Sequence, residues 1–250
     1  GWVVPHFEKM LYDNAQLLQV YLHLWRATKS SLAERISRQT ADFLLRDLST
    51  LEGGFASALD ADTEGVEGLT YAWTPKQLID VLGEDDGRHA ATLLEVTTSG
   101  TFEHGMSTLQ LRTEPDDARW WDGIRHRLLA ARDLRPQPTR DDKVVTGWNG
   151  LAIAALSEAG VLLEDPTYLD AAQRCAQFLV DVHLVDGRLR RASRQGAAGA
   201  AIGLAADHGN QVEALPTLPQ AAGEPRWPHA AAAPPDPALP PSRARRTCCP

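Results

Sequence analysis

Four side chains that could take part in acid–base chemistry lie close together near the start of the sequence: His6, Glu8, Lys9 and Asp13. If a helix begins at Pro5, His6, Lys9 and Asp13 occupy positions i, i+3 and i+7 on one face. A proton-transfer group, a cation and a carboxylate could then converge on one ligand. The alternative is an ordinary ion pair between Lys9 and Asp13, with His6 hydrogen-bonded to a loop.

The segment 60–68 places Asp60, Asp62 and Glu64 at alternate positions and follows them with a glycine. This order is typical of the opening of a calcium loop. However, the twelfth position is Tyr71, where a calcium loop needs a bidentate glutamate. We therefore predict no metal site, and instead a hairpin loop whose carboxylates contact substrate hydroxyls or cap backbone amides.

A third group of polar residues precedes a predicted helix. Asp141, Asp142 and Lys143 are followed by Trp148 and Asn149. Aromatic faces stack on sugar rings, and carboxylates and amides bind sugar hydroxyls, so this set favours a carbohydrate ligand. The alternative is that Trp148 lies in the core and the charges are solvated.

The elements that must position these residues form an internal repeat. A polar residue at the start of one helix is followed 29 positions later by an apolar residue on the next, in three pairs: Asn14 and Phe43, Asn149 and Phe178, Asn210 and Leu239. Helical hairpins that cannot bury their apolar stripes alone stack on their neighbours, as a solenoid or a closed toroid. We favour a mostly α fold, a fragment of a closed (α/α) toroid with short β-hairpins at one rim; the resemblance described below implies that the toroid is a six-hairpin (α/α) toroid. Polar residues at the starts of its inner helices, among them Asp207, would face a common cavity.

Composition narrows the function classes. The formal charge of −8 and the pI near 5.5 argue against a nucleic-acid-binding surface, which needs an excess of Lys and Arg. No apolar stretch is long enough to span a bilayer, so we expect a cytoplasmic protein without membrane contact. Three cysteines show neither a disulfide framework nor zinc-ligand spacing, and we predict no cofactor.

The prolines are unevenly distributed along the chain. Ten of the sixteen lie in 216–250, and each proline inside a helix costs about 3 kcal/mol. We therefore predict an α/α domain over 1–210, incomplete at both ends, and a degraded or disordered proline-rich tail over 211–250. The tail is interpreted as a diverged or out-of-frame remnant of a repeat.

Three runs, 4–17, 57–68 and 141–151, resemble the family of thioredoxin-domain-containing proteins similar to spermatogenesis-associated protein 20. The resemblance implies a helical part like the six-hairpin glycosidases, a superfamily that includes the N-acylglucosamine 2-epimerases. It also implies a thioredoxin-like domain in cis in intact relatives, which this sequence lacks.

The expected function is therefore binding of a small saccharide, with isomerisation or hydrolysis in the intact family. An epimerase would use a histidine pair, for which His6 and His208 stand at equivalent repeat positions, whereas a glycosidase would use two carboxylates at a defined separation. The catalytic candidates are His6, Asp60, Asp62 and His208. The substrate-binding candidates are Glu8, Lys9, Asp13, Asn14, Glu64, Glu67, Asp142, Lys143, Trp148, Asn149 and Asp207. The alternatives are a non-catalytic scaffold for a thioredoxin-like domain and a truncated, non-functional product.

Overall fold

Helices connected by short strands account for most of residues 3–210, the part of the chain that the structure, a computed structural model, describes. The helices are α1 (Leu11–Thr28), α2 (Ser31–Phe43), α3 (Pro75–Leu82), α4 (Glu84–Leu93), α5 (Ala118–Asp133), α6 (Thr146–Leu162) and α7 (Pro166–Phe178). The strands are β1 (Lys9–Met10), β2 (Ala58–Leu59), β3 (Asp62–Thr63), β4 (Val66–Glu67), β5 (Arg140–Asp141), β6 (Val144–Val145), β7 (Leu184–Val185), β8 (Arg188–Leu189), β9 (Ala192–Arg194) and β10 (Ala197–Ala198).

The described residues divide into two compact units. Unit 1 comprises 3–9 and 59–140, and unit 2 comprises 10–58 and 141–210. The tail predicted over 211–250 lies outside the described residues.

Unit 2 contains the predicted repeat. The hairpin α1–α2 ends in a π-helical turn, Leu44–Leu48, and the hairpin α6–α7 ends in another, Leu179–His183. Corresponding elements begin at a constant offset of 135 residues, and Phe43 and Phe178 are the last residues of α2 and α7. The repeat is thus confirmed for these two hairpins, whereas the third predicted pair ends at Leu239, outside the described residues.

Both hairpins are closed by the same backbone hydrogen bond. The first residue of the inner helix donates to the chain that returns after the outer helix: Leu11 to the carbonyl of Ser57, and Thr146 to the carbonyl of Arg191, at 2.9 Å each. The antiparallel pairing β6–β9–β10 continues from the second of these contacts. The β-strands therefore fix where α1 and α6 begin.

The core of unit 2 lies between α1, α6 and their outer partners. Apolar residues at helical spacing predict a stripe from Leu11 to Trp25 along α1. Leu11, Ala15, Leu18 and Leu22 of this stripe are buried, whereas Trp25 is partly exposed. In contrast, α6 is buried around most of its circumference, because twelve of its seventeen residues are inaccessible to solvent. Such a helix needs small apolar residues to pack on several sides, and α6 contains many alanines and glycines.

Unit 1 packs α3, α4 and α5 around one apolar cluster that includes Trp73, Leu78, Leu94 and Ile124. Threonine followed by proline at 74–75 predicts a helix that is capped by Thr74, and the structure confirms this start of α3: Thr74 caps the helix in a reciprocal capping box with Gln77. Strands β3 and β4 form a separate antiparallel hairpin in this unit.

Two local predictions from the sequence are wrong. The composition of 69–73 predicts a short strand, but the chain turns there: the amides of Tyr71 and Ala72 donate to the carbonyl of Gly68, and the Arg135 guanidinium binds the carbonyls of Thr70 and Ala72. Ser31, three residues before Glu34, is predicted to cap α2, but the cap is Ser30, whose hydroxyl accepts a hydrogen bond from the amide of Ala33. The predicted fold class, mostly α with repeated helical hairpins and short β-hairpins, is confirmed. No helix within the described residues combines the length and hydropathy needed to cross a membrane.

Candidate functional site

The first predicted cluster does not share a helical face. Lys9 and Met10 form β1 and α1 begins only at Leu11, so His6 and Lys9 precede the helix that carries Asp13. The predicted i, i+3, i+7 arrangement is therefore wrong, because strand pairing keeps residues 9 and 10 extended.

Within unit 1, His6 and Glu8 are exposed, and the Nδ1 atom of His6 accepts a hydrogen bond from the Glu8 amide at 3.2 Å. The Lys9 ammonium donates to the carbonyl of Phe7 at 2.6 Å and lies 3.5 Å from the centre of the Tyr71 ring. Lys9 is thus held over an aromatic face, where a cation is attracted by the ring quadrupole.

The acidic segment, predicted as the loop of a hairpin, itself contains both strands of a short hairpin. Asp62 pairs with Glu67 across β3 and β4, and Glu64 and Gly65 make the turn with φ of 55° and 79°. A left-handed pair of turn residues matches the twist of a tight hairpin, and glycine adopts it without strain.

The two faces of this hairpin differ in exposure. The hydroxyl of Thr63 points inward and lies 2.7 Å from that of Thr70, whereas the carboxylates of Asp60, Asp62, Glu64 and Glu67 are exposed. The Asp60 carboxylate accepts from the Asp62 amide at 3.2 Å, which is the amide-capping role predicted as one alternative. No group of three or more potential metal-binding side chains gathers within residues 3–210.

In unit 2, the N-terminal ends of α1 and α6 bring two aromatic rings together. The ring centres of Tyr12 and Trp148 lie 4.9 Å apart with an interplanar angle of 58°, and both side chains are partly exposed. Asp13 follows Tyr12 and is exposed, while the Asn14 amide nitrogen donates to the carbonyl of Met10 at 2.8 Å. Tyr12 was missed from the sequence, although it directly precedes Asp13.

Charged residues lie just before α6, also in unit 2. The Lys143 ammonium is 3.0 Å from the Asp141 carboxylate in an ion pair that remains largely exposed. Asp142, between them, is partly buried. The Lys143 carbonyl accepts from the Ser57 hydroxyl at 2.6 Å, so the backbone of this charged segment is tied to the strand region after α2.

Asn149 differs from the other candidates because its side chain is fully buried and bound on every side. Its amide oxygen accepts from the Phe55 amide at 2.8 Å and from the Cys175 thiol at 3.2 Å. Its amide nitrogen donates to the carbonyls of Phe55 and Val145 at 3.0 Å each. This residue ties the start of α6 to the strand region after α2, and burial also raises the pKa of the adjacent Cys175 thiol.

Asp207 also acts on the start of α6. Its carboxylate, 3% exposed, accepts from the amides of Gly147 at 3.0 Å and Leu204 at 2.8 Å, and Arg191 lies 3.6 Å away. The Asn210 amide donates to the Gly147 carbonyl at 3.0 Å. A Cβ atom on Gly147 would lie 2.8 Å from the Asp207 carboxylate, so this close approach requires glycine.

The structure therefore places Asp13, Asn14, Asp142, Lys143, Trp148, Asn149, Asp207 and His208 in unit 2, and the other candidates in unit 1. His208 is partly buried on the helical segment 205–210. The buried pair Thr146 and His183 was not selected from the sequence. The only signal for it there is that each residue is polar, whereas the residue at the equivalent position of the first hairpin is apolar.

The curated relatives match over most of this chain. It is 31% identical to spermatogenesis-associated protein 20 of Rattus norvegicus in an alignment of 237 positions that covers 79% of this chain and 30% of that protein. The Homo sapiens protein of the same name is 30% identical with the same coverage. An uncharacterized Caenorhabditis elegans protein is 30% identical in an alignment of 240 positions that covers 79% of this chain and 32% of that protein. The chain thus spans less than a third of the length of these relatives.

Solved structures give weaker likenesses. A D-mannose isomerase has a TM-score of 0.37 at 14% identity over 90% of this chain and 57% of that one. A GH76 α-mannanase of Bacteroides thetaiotaomicron has a TM-score of 0.36 at 15% identity over 90% of this chain and 59% of that one. No protein-family model matches the chain. The resemblance deduced from the motifs is nevertheless confirmed by the sequence relatives, and the chain is a distant homologue of spermatogenesis-associated protein 20.

Proposed function

We propose that this chain contributes a saccharide-binding surface, centred on Tyr12 and Trp148 at the N-terminal ends of α1 and α6. The observation that carries the proposal is the aromatic pair itself, two partly exposed rings 4.9 Å apart. Such rings offer an apolar face to the C–H side of a sugar and a polar edge to its hydroxyls.

The neighbouring polar residues complete the proposed surface. Asp13 follows Tyr12, while Asp142 and Lys143 lie shortly before Trp148. We assign these carboxylates and the ammonium, which Asp141 also binds, to the recognition of sugar hydroxyls. Asn149 and Asp207 are assigned to positioning α6, because their side-chain bonds are made within the protein.

Catalysis by the intact protein is a further part of the proposal. His6, Asp60, Asp62 and His208 are retained as proposed catalytic residues for isomerisation or hydrolysis, and Glu8, Lys9, Glu64 and Glu67 as proposed binding residues. In an intact homologue, turnover that is abolished by the equivalents of His6→Ala or Asp60→Ala supports an enzyme. Binding without turnover supports the alternative scaffold for a thioredoxin-like domain.

The binding proposal is tested by calorimetric titration of this chain with D-glucose, D-mannose, N-acetylglucosamine and cellobiose. We expect Trp148→Ala to weaken binding of the preferred sugar at least tenfold, or about 1.4 kcal/mol, because it removes the stacking face. Trp25→Ala is the matched control, since Trp25 is also partly exposed but lies near the other end of α1. Equal losses in both variants, or no sugar binding at millimolar concentration, would contradict the proposal.

A further inference from the structure

A chain of three buried polar side chains runs beside the start of α6. The Thr146 hydroxyl lies 2.5 Å from Nδ1 of His183, and Nε2 of His183 lies 2.7 Å from the Ser193 hydroxyl. Thr146 and His183 are fully buried and Ser193 is 3% exposed. None of the three has a place in the proposed binding surface.

The direction of these hydrogen bonds follows from one carbonyl. The Thr146 hydroxyl is also 2.5 Å from the carbonyl oxygen of Arg190, which can only accept. The hydroxyl therefore donates to Arg190 and accepts from Nδ1–H of His183. Burial lowers the pKa of the His183 imidazole, so at neutral pH Nε2 carries no proton and accepts from the Ser193 hydroxyl.

The first hairpin shows that the fold can dispense with this polar chain. At the offset of 135 residues, Thr146 corresponds to Leu11 and His183 to Leu48, and both leucines are fully buried. A buried polar network carries a desolvation cost that an apolar pair avoids. Leucines at these positions serve the helical hairpin itself, so the polar pair in the second hairpin has another purpose.

The position of Thr146, two residues before Trp148, indicates that purpose. Thr146, Gly147 and Asn149 are buried and bound by side chains from other segments, whereas Trp148 between them is partly exposed. Fixing both flanking residues fixes the direction in which the Trp148 indole leaves the helix.

We propose that His183 is a positioning residue for saccharide binding: through Thr146 it holds the first turn of α6 so that the Trp148 indole keeps its place against Tyr12. This inference rests on the proposed function. The Asp207 carboxylate, which Arg191 approaches to 3.6 Å, acts electrostatically on the imidazole, and Phe178 presents its ring edge-on at 5.5 Å.

The test uses a triple variant of the full chain, Thr146→Leu, His183→Leu and Ser193→Ala. It replaces the polar pair by the leucines that occupy the equivalent positions of the first hairpin, and it removes the Ser193 hydroxyl. Acrylamide quenching of Trp148 is obtained by subtracting the fluorescence of matched proteins that also carry Trp148→Phe. We expect the folded triple variant to show at least a twofold larger quenching constant for Trp148, and about tenfold weaker binding of the sugar preferred among glucose, mannose, N-acetylglucosamine and cellobiose. Ser157→Ala is the control, because it removes a buried hydroxyl from α6 far from its first turn.

If the triple variant does not fold, Thr146→Val replaces it, with Thr146→Ser as the variant that restores the hydroxyl. Increased quenching in Thr146→Val that Thr146→Ser reverses supports the positioning role. Unchanged Trp148 quenching in a folded variant overturns it, whatever happens to stability. Increased quenching in a chain that binds no sugar supports the positioning of Trp148 and refutes the saccharide function instead.

Discussion

The first turn of α6 combines residues with opposite exposures. Gly147 and Asn149 are buried and take part in hydrogen bonds with Asp207 and Phe55, while Trp148 reaches the surface beside Tyr12. A preorganised ring loses little conformational entropy when a ligand stacks on it. Trp148 could be chosen from the sequence as a candidate binding residue, because charged residues precede it at the start of a predicted helix. The sequence did not allow Tyr12 to be paired with Trp148, because that contact joins two distant hairpins.

The His183 imidazole gives the protein a specific pH dependence. Desolvation by burial lowers the pKa of His183 to about 4 from the ordinary 6.5, although the Arg190 backbone and the charge of Asp207 oppose the shift. The unfolded chain takes up this proton at higher pH than the folded chain. The stability contribution is therefore complete above pH 6.5 and is lost as the pH falls toward 4, by about 3 kcal/mol in total.

We expect urea unfolding at pH 7.0, 5.5 and 4.5 to show this loss in the wild-type chain. Surface carboxylates titrate as well. The part due to His183 is therefore the difference in unfolding free energy between the wild-type chain and the Thr146→Leu, His183→Leu, Ser193→Ala variant. A variant whose stability falls with pH as steeply as that of the wild type would show that His183 is not the group responsible.

Two hairpins in the same register can be compared position by position at the scale of elements. Their helices were predictable because apolar residues recur at helical spacing and because the Asn–Phe pairs repeat. The start of α1 was not predictable, because Lys9 and Met10 are extended by strand pairing rather than by any local preference. Local pattern identifies a helix, but tertiary contacts decide where it begins.

The hairpins differ in the surroundings of their inner helices. Leu17, Val20 and Leu24 on α1 are 51%, 59% and 43% exposed, whereas the residues at the offset of 135 on α6, Ala152, Ala155 and Ala159, are fully buried. Equivalent positions therefore carry opposite constraints, and α6 needs alanine where α1 accepts large side chains.

This contrast predicts opposite outcomes for matched substitutions. Val20→Lys is expected to change the free energy of unfolding by less than about 0.5 kcal/mol, because the side chain is already solvated. Ala155→Lys is expected to cost more than about 3 kcal/mol, since it overpacks the core and buries an ammonium. Equal effects of the two variants in urea unfolding would contradict the opposite burial of these two equivalent positions.

At the scale of the whole molecule, the candidates divide between two units of a chain that spans less than a third of the length of its curated relatives. Unit 2 carries the aromatic pair and the buried network, and unit 1 carries the exposed carboxylate hairpin. The proposed stacking surface of Tyr12 and Trp148 therefore belongs to unit 2. The activity of the longer protein remains a proposal for an intact homologue.

Stacking of a sugar on Trp148 is tested most directly by ¹⁹F NMR of the chain labelled with 5-fluorotryptophan. The chain has seven tryptophans, and the resonance of Trp148 is identified by its absence in Trp148→Phe. We predict that titration with the preferred sugar shifts the Trp148 resonance in a saturable way and leaves that of Trp25 in place. A sugar that binds while the Trp148 resonance stays unchanged would contradict the account.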